Sequence, residues 1–199
     1  MPSISFEQLQ QHVVEKLRAG LAPHLTYHGV HHTLDVLQQA TCIAQAEGIT
    51  AEQELLLLKT AALYHDTGFL LTYQQHEESS CALARQELPG FGFTPQEIET
   101  VCCLIMATKV PQAPQTKLQE ILCDADLDYL GRPDFYEIGA TLYQEFLHYG
   151  IVQEEADWHR VQLRFLESHR YFTRFSKNNR ETQKQQHLTN LRAEGITQR

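Results

Sequence analysis

Three short stretches of this chain group residues that could bind a metal ion or move a proton. The first is Tyr27-His28-Gly29-Val30-His31-His32. His28 and His32 are four residues apart, so on a helix they share a face, with Cβ atoms about 6 Å apart. Such a pair can bind a metal or set one imidazole beside a metal ligand, and His31 competes for the role. The second stretch is His65-Asp66, which closes the apolar run 55–64 and precedes Thr67-Gly68. A carboxylate in a last helical turn opposes the helix dipole at a cost of about 0.3–1 kcal/mol, and a cation there reverses the sign. Imidazole and carboxylate donors suit Mn²⁺, Fe²⁺, Mg²⁺ or Zn²⁺. The third is Cys123-Asp124-Ala125-Asp126-Leu127-Asp128-Tyr129-Leu130-Gly131, three carboxylates in an apolar stretch. Buried charges need partners. On a helix Asp124 and Asp128 face one way and Asp126 points about 160° from each of them, so the three are not expected to serve one site together. An EF-hand loop is excluded, because Tyr129 and Phe135 stand where Gly and Glu are required.

The elements that must position these groups read as helix after helix. Phe6, Leu9, Val13 and Leu17 recur at helical spacing behind a Ser5/Gln8 capping box, and Gly20 and Pro23 end that helix. Leu34, Leu37, Ala40, Ile43 and Ala44 form the inner face of a helix over 31–46, stopped by Gly48. Thr50 and Gln53 read as a second capping box, opening a helix that ends near 66–68. A fourth runs over 75–88 until Pro89, Gly90 and Gly92. Thr94-Pro95-Gln96-Glu97 supplies an N-cap, a proline at the first position and a glutamate at the third. Another helix follows from Leu118 to near Gly131, the next runs from Pro133 to about 148, and a long one carries Ala156, Val161, Phe165 and Phe172 inward. There is no internal repeat, Gly-rich phosphate loop or useful strand-like alternation. The expected fold class is all-α, a single helical bundle over 1–176, with 177–199 a polar, mobile tail.

Composition bounds the function. A chain of 199 residues, 42% hydrophobic, buries a sufficient core without a structural metal, so a bound metal would be functional. The net charge of −9 argues against a general nucleic-acid binder. The charge is uneven: residues 160–199 hold nine Lys/Arg against three Glu, whereas the first 159 hold seven against 22 Asp/Glu. An acidic body repels an anionic substrate unless cations sit in its site. Five cysteines, an odd number with no CxxC pair, indicate reduced thiols and a cytoplasmic location. Residues 1–10 lack the basic start and apolar core of a signal peptide. No apolar cluster is long enough to span a bilayer, so no membrane partner is expected.

In order, the three clusters read H…HD…D, and the chain resembles the HD-domain superfamily of metal-dependent phosphohydrolases over about residues 20–150. Residues 27–32 look like the family's YHxxxH opening, Tyr64-His65-Asp66-Thr67-Gly68 like its HD-x-G signature, and residues 123–131 like its final Asp motif. The resemblance implies that His32, His65, Asp66 and Asp126 hold the metal. Asp126 is preferred over Asp124 because the family's last ligand usually follows Ala. His28 corresponds to a general acid or anion contact in some branches. His76, about ten residues after the HD pair, stands where some relatives carry a histidine near the active site. With Lys109, at the end of an apolar helix, these are the catalytic candidates. Asp124 and Asp128 are candidates to orient the ligands.

There are departures. No Glu-Asp pair soon follows His65-Asp66, as in the alarmone hydrolases, and no GYP motif marks a cyclic-di-GMP phosphodiesterase. Thr108 occupies a region where two-metal branches carry a further histidine, so one divalent ion per chain is expected: Mn, Fe, Mg, Co, Ni or Zn. The implied function is hydrolysis of a nucleotide or other phosphate ester by a metal-activated water. The expected partners are a small phosphorylated substrate and, as a candidate assembly, a second copy in a homodimer. Two alternatives are a non-catalytic nucleotide-binding module of the same fold and an HD-type di-iron oxygenase; the second needs more histidine ligands.

Overall fold

The computed structural model describes residues 5–197, and among them ten α-helices and no strand. They are α1 (Phe6–Gly20), α2 (Val30–Ala46), α3 (Glu52–Tyr64), α4 (His76–Glu87), α5 (Pro95–Ala107), α6 (Lys117–Asp126), α7 (Phe135–His148), α8 (Glu155–Ser168), α9 (Arg174–Asn179) and α10 (Glu181–Thr197). The all-α class expected from the sequence is what the chain adopts. Reciprocal capping opens α1 at Ser5/Gln8, α5 at Thr94/Glu97 and α6 at Thr116/Gln119.

α3 carries apolar residues all round, as a central helix must, and Leu58, Ala61, Ala62 and Leu63 are fully buried. It packs on α2 and α5, and α6 closes against α2. Val36, Ala40 and Ile43 of α2, Val101 and Ile105 of α5 and Ile121 and Leu122 of α6 complete this core. A second apolar cluster lies under the C-terminal helices, with Tyr27, Leu127, Tyr129, Leu130, Phe135 and Leu166 among its members. The two cores flank the segment that carries the histidines. Among the described residues, no helix is long and apolar enough to cross a membrane.

Three sequence expectations are corrected here. The Thr50/Gln53 capping box does not form: α3 begins after Ala51 with no side-chain cap, and Gln53 donates instead to Glu97 of α5. The long helix ends at Ser168, before Phe172, because the Phe172 and Thr173 amides turn away to donate to Asp124. The segment read as a polar tail is helical over α9 and α10. Leu188 and Leu191 of α10 are buried, and Lys184, 1% exposed, donates to the His169 carbonyl at 2.8 Å. Leu188 and Leu191 join the apolar cluster that holds Leu166 of α8, so the segment's polar composition hid a packed helix. Residues 1–4 and 198–199, the ends of the two expected segments, lie outside the described residues.

Candidate metal centre

α2 starts one residue after Gly29, so its first turn carries His32 inward on the face that meets α3 and α6. α3 ends at Tyr64 and delivers His65 and Asp66 at its C-terminal end. α6 ends at Asp126. Three helix segments thereby bring four donors to one point. His32 Nε2 and His65 Nε2 are 3.3 Å apart. Asp66 Oδ2 lies 3.1 Å from His65 Nε2 and 3.4 Å from His32 Nε2. Asp126 Oδ1 lies 3.1 Å from His32 Nε2 and 3.4 Å from His65 Nε2. Donors about 2.1 Å from one shared ion stand roughly 3.0–3.4 Å from one another, which is the spacing found. His32, His65 and Asp66 are buried, and Asp126 is nearly so.

The donor set fits a divalent cation. His65 Nδ1 donates to the Ala62 carbonyl at 2.9 Å, which turns the lone pair of Nε2 toward the carboxylates. Asp66 Oδ2 is buried without a hydrogen-bond partner, a costly state unless a cation faces it. Burial alone would push the His65 imidazole down, yet Asp66 and Asp126 raise it well above its ordinary value. Burial would raise Asp66 and Asp126, yet the imidazoles hold both below the usual carboxylate range, Asp126 at about 2. The attraction that keeps a proton between these groups would equally hold a metal ion.

The neighbouring side chains are built in with equal care. Gly68 lets α4 approach: a Cβ at Gly68 would stand 1.9 Å from the His76 carbonyl oxygen. Ser80 of α4 accepts from Gly68 N at 2.8 Å and donates to the His65 carbonyl at 2.7 Å, clamping the turn. Gln75, in the left-handed region at φ 56°, reverses the chain so that His76 opens α4 toward the site. His76 Nε2 lies 3.5 Å from Asp66 Oδ1, and its ring stacks on Phe69, which also stacks on His28. Lys109 sits at the margin, its ammonium paired with Glu78. His31 is exposed and points its ring back toward Gly29. Thr108 is spent on the end of α5, donating to the Ile105 carbonyl at 2.8 Å.

Asp124 and Asp128 do not join the four donors. Asp124 accepts from Phe172 N, Thr173 N and Thr173 Oγ1 at 2.9, 2.8 and 2.6 Å. Asp128 pairs with Arg180 at 2.8 Å and with Arg132 at 3.6 Å. Instead of orienting ligands, they latch the C-terminal segment onto the outer side of α6 and the turn after it. The helical rotation explains the division: Asp126 faces in, and its neighbours two residues away face out.

Sequence reasoning missed Glu145. Its fully buried carboxylate accepts from Tyr27 N at 3.0 Å, His28 N at 3.1 Å and Tyr73 Oη at 3.1 Å, and it meets His28 Nδ1. Burial would lower the His28 pKa, but Glu145 raises it above its ordinary value. Glu145 itself is held below the usual carboxylate range despite its burial, chiefly by His28. The available signal was a carboxylate in register with Phe135, Ile138 and Leu142 on the inner stripe of α7.

The family model for the HD domain matches residues 29–128 of this chain. A solved structure from an uncultured Thermotogales bacterium, named a predicted HD superfamily hydrolase, is 24% identical, with a TM-score of 0.54 over 82% of this chain and 98% of its own. That likeness shows the fold. No curated protein matches the chain.

Proposed function

The chain belongs to the HD domain family, and from that premise we propose that it is a metal-dependent phosphohydrolase acting on a phosphate ester, with one divalent ion held by His32, His65, Asp66 and Asp126. The observation that carries this reading is the convergence of two imidazole nitrogens and two carboxylate oxygens, 3.1–3.4 Å apart, beside a cavity. Bound there, a divalent cation supplies a water of lowered pKa and polarises a phosphoryl oxygen. The chain's own residues do the rest. Glu145 holds His28 at Nδ1, which leaves Nε2 as the proton donor to the departing oxygen. His76, steadied on Phe69, offers Nε2 to a phosphoryl oxygen. The phosphorus–oxygen bond to the alcohol breaks as the bond to the water oxygen forms; the His28 proton passes to the alkoxide, and the proton the water loses returns to His28 through solvent, so that ester and water become alcohol and phosphate.

The test is a panel of nucleotides and phosphate esters with Mn²⁺, Fe²⁺, Co²⁺, Ni²⁺ and Mg²⁺, run on the native chain and on Asp66→Ala. Turnover lost together with metal binding in the variant supports the reading. Unchanged turnover in Asp66→Ala refutes it, and tight ligand binding without turnover under every metal points to a binding module.

A further inference from the structure

A cavity of about 440 Å³ opens beside the four donors, and its lining is of two chemistries. Around the donors stand His28, Asp66, His76 and Asp126. The part contributed by the C-terminal helices is hydrocarbon, with Leu142 and Phe146 of α7 and Trp158, Val161, Phe165 and Leu166 of α8 in the wall. The four α8 residues recur at i, i+3, i+7 and i+8, one face of a helix. That face is not packed shut: Leu142, Phe146, Val161 and Phe165 all keep partial exposure. An apolar wall left wet is one whose occupant gains by removing carbon from water.

Charge narrows the occupant. Among the described residues lining the cavity, Lys109 is the one Lys or Arg, and it is already paired with Glu78. A di- or triphosphate would bring several negative charges to a place that holds Asp66, Glu77 and Asp126. On the hydrocarbon side Gln162 is the one polar side chain contributed by α7 or α8. A ribose and base would set several polar groups against carbon without partners.

We propose that this cavity takes the carbon body of a phosphate monoester of an apolar alcohol or phenol, with the phosphate at the four donors. The inference rests on the phosphohydrolase reading and names its substrate class. At roughly 30 Å³ per non-hydrogen atom, the volume of one liquid water, the cavity holds a body of about ten to fifteen such atoms. α7 and α8 lie outside the matched residues 29–128. The matched part therefore holds the four donors, and the helices beyond it choose the leaving group.

Trp158 is the chain's one tryptophan, so its emission reports occupancy without turnover. The test titrates the full chain with alkylphosphonates from methyl to octyl, whose phosphorus–carbon bond does not hydrolyse, and with AMP and ADP. The expected result is a dissociation constant falling about fourfold per added methylene, the transfer free energy of one CH₂, with a saturable shift of Trp158 emission. Octylphosphonate binds tighter than AMP or ADP, and Leu142→Gln weakens octylphosphonate more than methylphosphonate. A flat chain-length series, or AMP binding tighter than octylphosphonate, overturns the inference and leaves the hydrolase reading standing if AMP is hydrolysed. A steep series with no hydrolysis of octyl phosphate or any other ester sinks the hydrolase reading and leaves the apolar site in place.

Discussion

Replacing Glu145 with Gln keeps the side chain's shape and removes its charge at a fully buried position. The carboxylate serves two backbone amides, the Tyr73 hydroxyl and the His28 imidazole. A glutamine oxygen can still accept from the amides, but its NH₂ then faces His28 Nδ1, which must give up its proton to accept. The loss is that of a hydrogen bond to a charged group, about 2 kcal/mol, or about 4–8 °C in Tm for a chain of this size. The loss depends on pH. His28, raised above 6.5, contributes stability that is full below that value and fades as pH rises through its raised pKa. Glu145, lowered below 4.5, contributes stability present above that value and lost as pH falls through its lowered pKa. The Tm gap between the native chain and Glu145→Gln is therefore widest between those limits and narrows on both sides. With the carboxylate gone, burial governs His28, and the alkaline limb of kcat/KM moves to lower pH. Melting curves and rate profiles across that range provide the check. A variant with native Tm and an unmoved alkaline limb would refute the reasoning.

Two further outcomes follow from the same geometry. Asp124→Ala strips the acceptor from two backbone amides and is expected to cost about 2–4 kcal/mol while metal affinity survives; Asp126→Ala is expected to stay folded and to lose more than about 100-fold in metal affinity. Denaturant titration and calorimetry on both variants separate the roles, and the reverse pattern would exchange them. His169 is held at about 3, by burial and then by Lys184, so the folded chain refuses a proton that the unfolded chain accepts below 6.5. Stability therefore falls as pH drops below that value, by ~2 kcal/mol at about pH 5; His169→Asn should flatten this slope, and an unchanged slope in chelator would count against it.

What was legible in the sequence was mostly local. The Thr94/Glu97 box formed as read because its partners are three residues apart and nothing else competes for them. The Thr50/Gln53 box failed because α3 begins after Ala51 instead and Gln53 donates to Glu97, distant in sequence. Helical rotation alone split Asp126 from Asp124 and Asp128, but it could not say which side faced the histidines; α2 and α3 decide that. Glu145 was hidden because its partners lie on the loop before α2 and on Tyr73, and no motif joins them. α10 was hidden because a helix with two well-buried leucines reads as polar until α8 covers it.

The central claim is that His32, His65, Asp66 and Asp126 share one divalent ion. Anomalous diffraction from crystals of the chain grown with Mn²⁺ tests it most directly. The account predicts a single strong peak about 2.0–2.3 Å from His32 Nε2, His65 Nε2, Asp66 Oδ2 and Asp126 Oδ1. A peak bound by Asp124, or none within reach of the two imidazoles, would contradict it.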